Sequence, residues 1–134
     1  MISPQAALVY TMVIAAESDG DIAEAEIRRI GDLVDHLPTF EGMGRTEIAE
    51  LAIRCSEALA GLESPEPVFA KIRKALPPAL RETAYALACN VTAADRRLNR
   101  AEMTTLDQIR VQLVIDPMIA GAIERAAQVR FQAA

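Results

Sequence analysis

Residues 6–16 form an almost uninterrupted apolar run, and Ser3-Pro4 places a helix cap and a first-turn proline directly before it. A helix that is apolar on nearly every side has to be covered by neighbouring elements over most of its surface. A second run of this kind begins at Pro78 and extends to about Thr92. The two runs predict two central helices around which the rest of the chain packs.

The composition favours helices in the remaining chain as well. Hydrophobic residues make up 51% of the 134 residues but aromatic residues only 4%, so the core must consist mainly of Ala, Leu, Ile, Val and Met. Helical spacing of apolar residues, interrupted at proline and glycine, predicts an all-α fold: a seven-helix, single-domain bundle over residues 1–134. The predicted helices are 4–17, 23–37, 45–60, 64–76, 78–92, 99–113 and 116–131, with a loop over 39–44.

The charge is negative and unevenly distributed along the chain. The net charge is −5, with 13 acidic and 7 basic residues in 1–76 but 6 and 7 in 77–134. Nucleic acid is therefore not an expected partner, because neutralising phosphates requires a basic face. Halves of different charge can attract each other within one molecule or between two, so a protein partner, including a second copy in a homodimer, is expected.

The sequence predicts a cytoplasmic protein without a transmembrane segment. Cys55 and Cys89 lie in helical patterns without CxxC spacing, which is typical of small buried residues in a reducing compartment. No base precedes the first apolar run, which argues against a signal peptide. Helix 4–17 would span about 21 Å, less than the roughly 30 Å of a bilayer core.

No motif in the sequence predicts an enzyme. His36 is the only histidine, so zinc sites built on paired histidines are excluded, and its predicted place at a helix C-terminus explains it through the helix dipole. GxSxG, GxGxxG and P-loop patterns are absent from the sequence. A hydrolase with paired carboxylates would need one of them in an apolar pocket, whereas the acidic residues cluster in a polar stretch.

That acidic stretch covers residues 17–26, which contain five carboxylates and no base. Like charges repel at this density unless a cation, a base or a helix N-terminus lies nearby. Ca²⁺ and Mg²⁺ prefer oxygen ligands, although the spacing does not match an EF-hand. The alternative left open is that the two aspartates serve the turn while the two glutamates complement the helix dipole. The candidate metal ligands are Asp19, Asp21, Glu24 and Glu26.

An internal repeat relates the two halves of the chain. A shift of 76 residues places Asp19 on Asp95 and Glu26 on Glu102, together with five apolar positions at helical spacing. The repeat predicts a duplicated helix–loop–helix unit with a pseudo-twofold axis, and a weaker second cation site at Asp95 and Glu102. The predicted halves are about 1–76 and 77–134.

The second copy carries three arginines where the first carries Gly20, Asp21 and Glu24. These guanidinium groups could serve as the counter-charge for the acidic stretch, in the same molecule or in a neighbour. They could also contact a phosphate or membrane headgroup, or form a solvated or self-paired face. The candidate partner-binding residues are Arg96, Arg97 and Arg100.

The sequence Ala-Glu-Ser-Asp-Gly-Asp after an apolar helix, followed by an acid-rich helix start with Glu24, Glu26 and Ile27, resembles the tellurite-resistance TerB-like domain. The resemblance covers essentially the whole chain. It implies an all-helical domain with clustered acids that binds a divalent cation and acts in stress-response assemblies near the membrane, with no established enzymatic mechanism. On matching positions it implies ligands at Asp19, Asp21 and Glu26, then Asp95 and Glu102; the three arginines argue against the second site.

Two functional hypotheses follow. The first is a non-enzymatic interaction module in which the acidic stretch binds a divalent cation, Ca²⁺ or Mg²⁺, or a basic partner surface. The second is a self-associating structural adaptor, in which the acidic stretch of one copy meets residues 96–100 of another without metal.

Overall fold

The computed structural model describes residues 1–16, 22–94 and 100–133. Within these residues it contains seven α-helices, one short 3₁₀ helix and no strand, which confirms the predicted all-α class. The α-helices are α1 (Pro4–Ala16), α2 (Glu24–Val34), α3 (Arg45–Ala60), α4 (Glu66–Ala75), α5 (Pro78–Ala94), α6 (Arg100–Gln112) and α7 (Pro117–Arg130), and the 3₁₀ helix is Pro38–Phe40.

Helix α1 lies at the centre of the bundle, as its apolar sequence predicts. All residues from 6 to 15 are buried, and α1 contacts each of the five helices α2, α3, α4, α5 and α6. The buried hydroxyl of Thr11 donates a hydrogen bond of 2.8 Å to the carbonyl of Ala7, so this polar group is satisfied inside the core. Covering α1 on all sides removes its apolar surface from water, which is the main favourable contribution to the fold.

Helix α5 is the second central helix and forms the most extensive helix pair with α1. Burial on α5 is concentrated between Ala84 and Thr92, while its first turn is exposed or half-exposed, so the predicted all-round burial holds for the second part of the helix only. Helices α2 and α3 pack on one another, and α2, α6 and α7 all contact α5. A pseudo-twofold axis between residues 1–76 and 77–134 stays a prediction.

Helix α2 ends earlier than the sequence indicates. The prediction placed its end before Pro38, but the helix stops at Val34, and a 3₁₀ helix follows in part of the segment predicted as a loop. The residue before a proline avoids helical backbone angles, and Leu37 is accordingly extended, with φ −81° and ψ 135°. Phe40 is 4% exposed, so its burial in the core fixes the path of this segment.

The start of α7 agrees with its sequence signal. The Asp116 carboxylate accepts hydrogen bonds from the backbone N–H groups of Met118 and Ile119, at 3.0 and 3.2 Å. Pro117 occupies the first helical position, where its missing N–H costs nothing. The predicted cap of α6, Asn99, lies outside the described residues.

The guanidinium group of Arg81 links the end of α4 to the start of α5 through hydrogen bonds. Arg81 lies in the first turn of α5, and its Nε and Nη2 donate to the carbonyl oxygens of Leu76 and Arg73, both at 3.0 Å. These carbonyls belong to the last turn of α4, where backbone acceptors lack helical partners and a cation complements the dipole. Arg81 therefore joins the two helices on either side of Pro77-Pro78.

Both cysteines are buried and form no disulfide, which confirms the prediction of small buried residues. Within the described residues, every helix is too short or too polar to cross a lipid bilayer.

Two methionines provide a matched test of this core. Met12 is 0% exposed in α1 and Met118 is 86% exposed in α7. Met12→Ala should lower the free energy of unfolding by about 2–5 kcal/mol, because it leaves a cavity between helices. Met118→Ala should change it by no more than about 0.5 kcal/mol. Urea unfolding of both variants measures the difference; equal losses would show that α1 is not the centre of the core.

Candidate functional site

The described part of the predicted cation site is the N-terminus of α2. Ala23 precedes the helix in an extended conformation and has no side-chain acceptor to cap it. Glu26, the third helical residue, supplies the missing interaction from inside the helix, since its Oε1 accepts a hydrogen bond of 3.2 Å from the Ala23 N–H. This is one half of a capping box, and the local role agrees with the alternative that the sequence left open.

Glu24 begins α2 and is exposed, whereas Glu26 is half-buried. Both carboxylates lie at the positive end of the helix dipole, which stabilises negative charge there. Among the described residues, no Lys or Arg lies within ion-pair distance of either carboxylate. The two glutamates are therefore solvated negative charges that only backbone dipoles complement in this part of the molecule.

The remaining predicted ligands and partner residues fall mostly outside the described ranges. Asp19 and Asp21 belong to residues 17–21, and Asp95, Arg96 and Arg97 belong to residues 95–99. In the ranges that are described, no group of three or more His, Cys, Asp or Glu side chains is arranged to hold a metal ion. Joint ligation by the aspartates and the glutamates stays a prediction.

Helix α6 begins with the same pattern as α2. Arg100 is its first residue and is exposed, and Glu102 is its third residue and is half-buried. Glu102 therefore occupies the position in α6 that Glu26 occupies in α2, as the 76-residue repeat predicts for this pair. The base at the first position of α6 replaces the acid at the first position of α2, so the two helix starts differ in charge.

The only histidine lies away from any such cluster. His36 follows the end of α2, its side chain is 96% exposed, and its Nε2 lies 3.9 Å from Asp35. The neighbouring charges form a surface cluster in which Arg45 pairs with Asp32 at 2.5 Å and with Asp35 at 3.8 Å. The hydrogen bond with Asp32 raises the pKa of Arg45 above its usual value. The arrangement joins α2 to α3 and offers no catalytic group.

A cavity of about 620 Å³ lies between α5, α6 and α7. Its wall combines apolar side chains with a few polar and charged groups. The wall includes Tyr85, Cys89, Met103, Leu106, Glu124 and Phe131.

Tyr85 and Glu124 form the strongest polar contact in this wall. The Tyr85 hydroxyl donates a hydrogen bond of 2.6 Å to Glu124 Oε2. Burial, supported by this bond, raises the pKa of Tyr85 well above its ordinary value, so the phenol remains a donor. Burial also raises the pKa of the neighbouring Cys89 thiol to about 12. A protonated, buried thiol is a poor nucleophile, so the cavity resembles a binding pocket more than a thiol active site.

The family model described as tellurite resistance protein TerB matches residues 5–125 of this chain. The chain belongs to the TerB family. The match extends from α1 into α7 and confirms the resemblance that the acidic sequence after α1 suggested. Comparison with curated proteins and comparison with solved structures each gave no match.

Sequence reasoning did not find the cavity in this TerB-family chain. Tyr85 and Cys89 are four residues apart and share one face of α5, a spacing that the sequence displays. Glu124 lies 39 residues from Tyr85. No local pattern connects the two, because their contact depends on how α7 packs against α5.

The buried thiol gives the folded protein a distinct alkaline response. The Cys89 pKa is raised from 9.0 to about 12, so between these values the unfolded chain loses this proton while the folded chain keeps it. Its contribution to stability is complete below pH 9 and is lost as the pH rises toward 12. The free energy of unfolding should fall less steeply between pH 8.5 and 10.5 in Cys89→Ala than in the wild type, as measured by urea titration at each pH. Parallel pH profiles would contradict this assignment.

Proposed function

We propose that this chain is a non-enzymatic TerB-like stress-response module whose acidic stretch, residues 17–26, binds a divalent cation, Ca²⁺ or Mg²⁺, or a basic surface of a partner protein. The observation that carries the proposal is the start of α2 in a TerB-family chain. There Glu24 and Glu26 lie without a basic partner among the described residues, one short segment after the buried helix α1. Charge of this density favours a positive ligand.

The donor chemistry fits a hard cation only if the whole acidic stretch contributes. Glu24 offers two carboxylate oxygens, whereas Glu26 offers only Oε2 because its Oε1 accepts from the Ala23 N–H. Ca²⁺ takes six to eight oxygens and Mg²⁺ six, partly from water. The proposal therefore assigns the remaining protein ligands to Asp19 and Asp21, and it treats Asp95 with Glu102 as a weaker second site beside Arg100.

Binding at this place would act on the position of α2. Helix α2 contacts α3 and α5 more extensively than it contacts α1, its neighbour along the chain. A cation held between the segment after α1 and the first turn of α2 would add a direct link between these two helices. A bound ion or basic surface would thereby stabilise one arrangement of α2, which a partner protein could recognise.

The proposal includes a cytoplasmic location and assembly with other proteins near the membrane, as the TerB resemblance implies. The two buried cysteines, which form no disulfide, support a reducing compartment. The exposed Glu24 and the half-buried Glu26 at a helix start support binding more than acid–base catalysis, which would require an apolar environment around one of them.

Cation binding can be tested through stability. At a concentration about a hundredfold above Kd, a ligand specific for the folded state stabilises it by about 2.7 kcal/mol. The thermal midpoint of the wild type should therefore be higher in millimolar Ca²⁺ or Mg²⁺ than in EDTA, and this difference should disappear in the double variant Asp19→Asn, Glu26→Gln. Glutamine keeps an oxygen for the Ala23 N–H, so the cap of α2 is retained.

The double variant Glu50→Gln, Glu57→Gln is the matched control, since both residues are exposed on α3 and the two substitutions also remove two negative charges. It should keep the full response to the cation. The same midpoint shift in all three proteins, or none in the wild type, would rule out a cation site in residues 17–26.

The alternative is a metal-free adaptor that self-associates through complementary charge. Arg100 favours it, because this residue is exposed at the start of α6 and no acid lies within ion-pair distance among the described residues. In this reading the acidic stretch of one copy contacts residues 96–100 of another.

The adaptor predicts a dimer at low salt that dissociates at high salt, because screening weakens exposed ion pairs. Arg97→Glu should abolish the dimer, while Arg54→Glu, the same charge change at an exposed position on α3, should leave it intact. Light scattering measures both in the presence of EDTA. A monomer at every salt concentration would exclude the adaptor and leave the cation hypothesis untouched.

A further inference from the structure

The cavity between α5, α6 and α7 lies on other helices than the described part of the acidic stretch, since neither Glu24 nor Glu26 lines it. Its volume of about 620 Å³ falls in the range of pockets that hold small organic molecules, roughly 300–1,000 Å³. It also has the usual composition of such pockets, in which apolar walls surround a small number of placed polar groups.

The apolar part of the wall comes from all three helices. Met103 and Leu106 lie on α6, Ala127 lies on α7, and Phe131 follows the end of α7. Met103 remains 53% exposed although it is a large apolar side chain. The flexible thioether adapts to the shape of a bound apolar group, so a ligand that covers Met103 would remove this surface from water.

At the Tyr85–Glu124 pair the polar wall offers a hydrogen-bond acceptor, while Gln128 and Gln132 line it with amides that both donate and accept. Tyr85 gives its only hydroxyl proton to Glu124 Oε2, which leaves Glu124 Oε1 available to accept from a ligand. Glu124 is half-buried, and no Lys, Arg or His of the described chain lies within ion-pair distance of it. A ligand group placed against the Glu124 carboxylate has to donate hydrogen bonds, because an ionised carboxylate only accepts them.

The charge of the cavity wall indicates which hydrogen-bond donor groups of a ligand would be preferred. Two acids, Asp107 and Glu124, line the cavity together with one base, Arg125. Arg125 is exposed and can extend into solvent, whereas Glu124 is fixed by its bond to the buried Tyr85. An ammonium group both donates hydrogen bonds and compensates the negative charge, whereas a carboxylate does neither.

We propose that this cavity binds a small amphipathic organic cation, with its apolar body against Met103, Leu106 and Phe131 and its ammonium group donating to Glu124. This site differs from the cation site proposed at the start of α2, because it would hold an organic ligand and is lined by α5, α6 and α7.

Three probes with one tail and different heads test the proposal: n-octylammonium, n-octanol and n-octanoate, each below its micelle concentration. Binding is followed by ¹H–¹⁵N NMR titration of the full chain. Because a hydrogen bond between charged groups contributes more than a neutral one, octylammonium should bind at least about tenfold more tightly than octanoate, with octanol between them. Shifts should concentrate at residues of α5, α6 and α7 that line the cavity.

Two variants separate the head from the tail. Glu124→Gln keeps an oxygen that can accept from Tyr85 but removes the charge, so it should reduce the preference for octylammonium over octanol to about twofold or less. Ala93→Phe fills the cavity from α5 and should weaken all three probes. Glu57→Gln on α3 changes the net charge equally and should leave all three affinities as in the wild type.

Octanoate binding as tightly as octylammonium, an unchanged preference in Glu124→Gln, or no saturable binding of any probe would overturn the proposal. A concentration-dependent dimer that Ala93→Phe abolishes, without probe binding, would also overturn it and would assign the cavity to a second copy of this chain.

Discussion

Helix α1 can be stable only because other helices cover it on every side, and this requirement determines the architecture. A helix of 13 residues is marginal by itself in water, and α1 has no polar face that could remain in solvent. Its packing against α5 pairs the two most apolar segments of the chain, and the remaining helices add the cover that this pair needs. Helix α1 accordingly carries no charged residue, and the proposed cation and partner contacts lie outside it.

The sequence predicts the helices well where local chemistry decides their ends. Helix α3 has its predicted bounds, and the Asp116-Pro117 signal marks the start of α7 because the carboxylate and the proline act within one turn. The predicted end of α2 was wrong because Phe40 packs into the core, and no local sequence pattern contains this tertiary contact. The cavity could not be predicted from the sequence for the same reason, since Tyr85 and Glu124 come into contact only when α7 packs on α5. The acidic candidates were found from charge density alone, but spacing in the sequence does not specify which oxygens converge.

The N-terminus of α2 shows how one carboxylate can have two roles. Glu26 uses Oε1 to satisfy a backbone donor that Ala23 cannot satisfy with a side chain of its own. Its other oxygen remains available for a ligand. Capping of α2 and binding of a cation therefore both involve Glu26, and they can occur at the same time. The cap holds the carboxylate in one orientation, and such preorganisation lowers the entropy cost of binding an ion.

The contacts of Arg81 restrict how helices α4 and α5 can move relative to each other. Pro77-Pro78 restricts the backbone between the two helices, and the Arg81 guanidinium donates two hydrogen bonds to the last turn of α4. The angle between α4 and α5 is therefore fixed. Both helices also pack on α1, so α4 and α5 lie against the central helix as one rigid pair rather than as two independently moving helices.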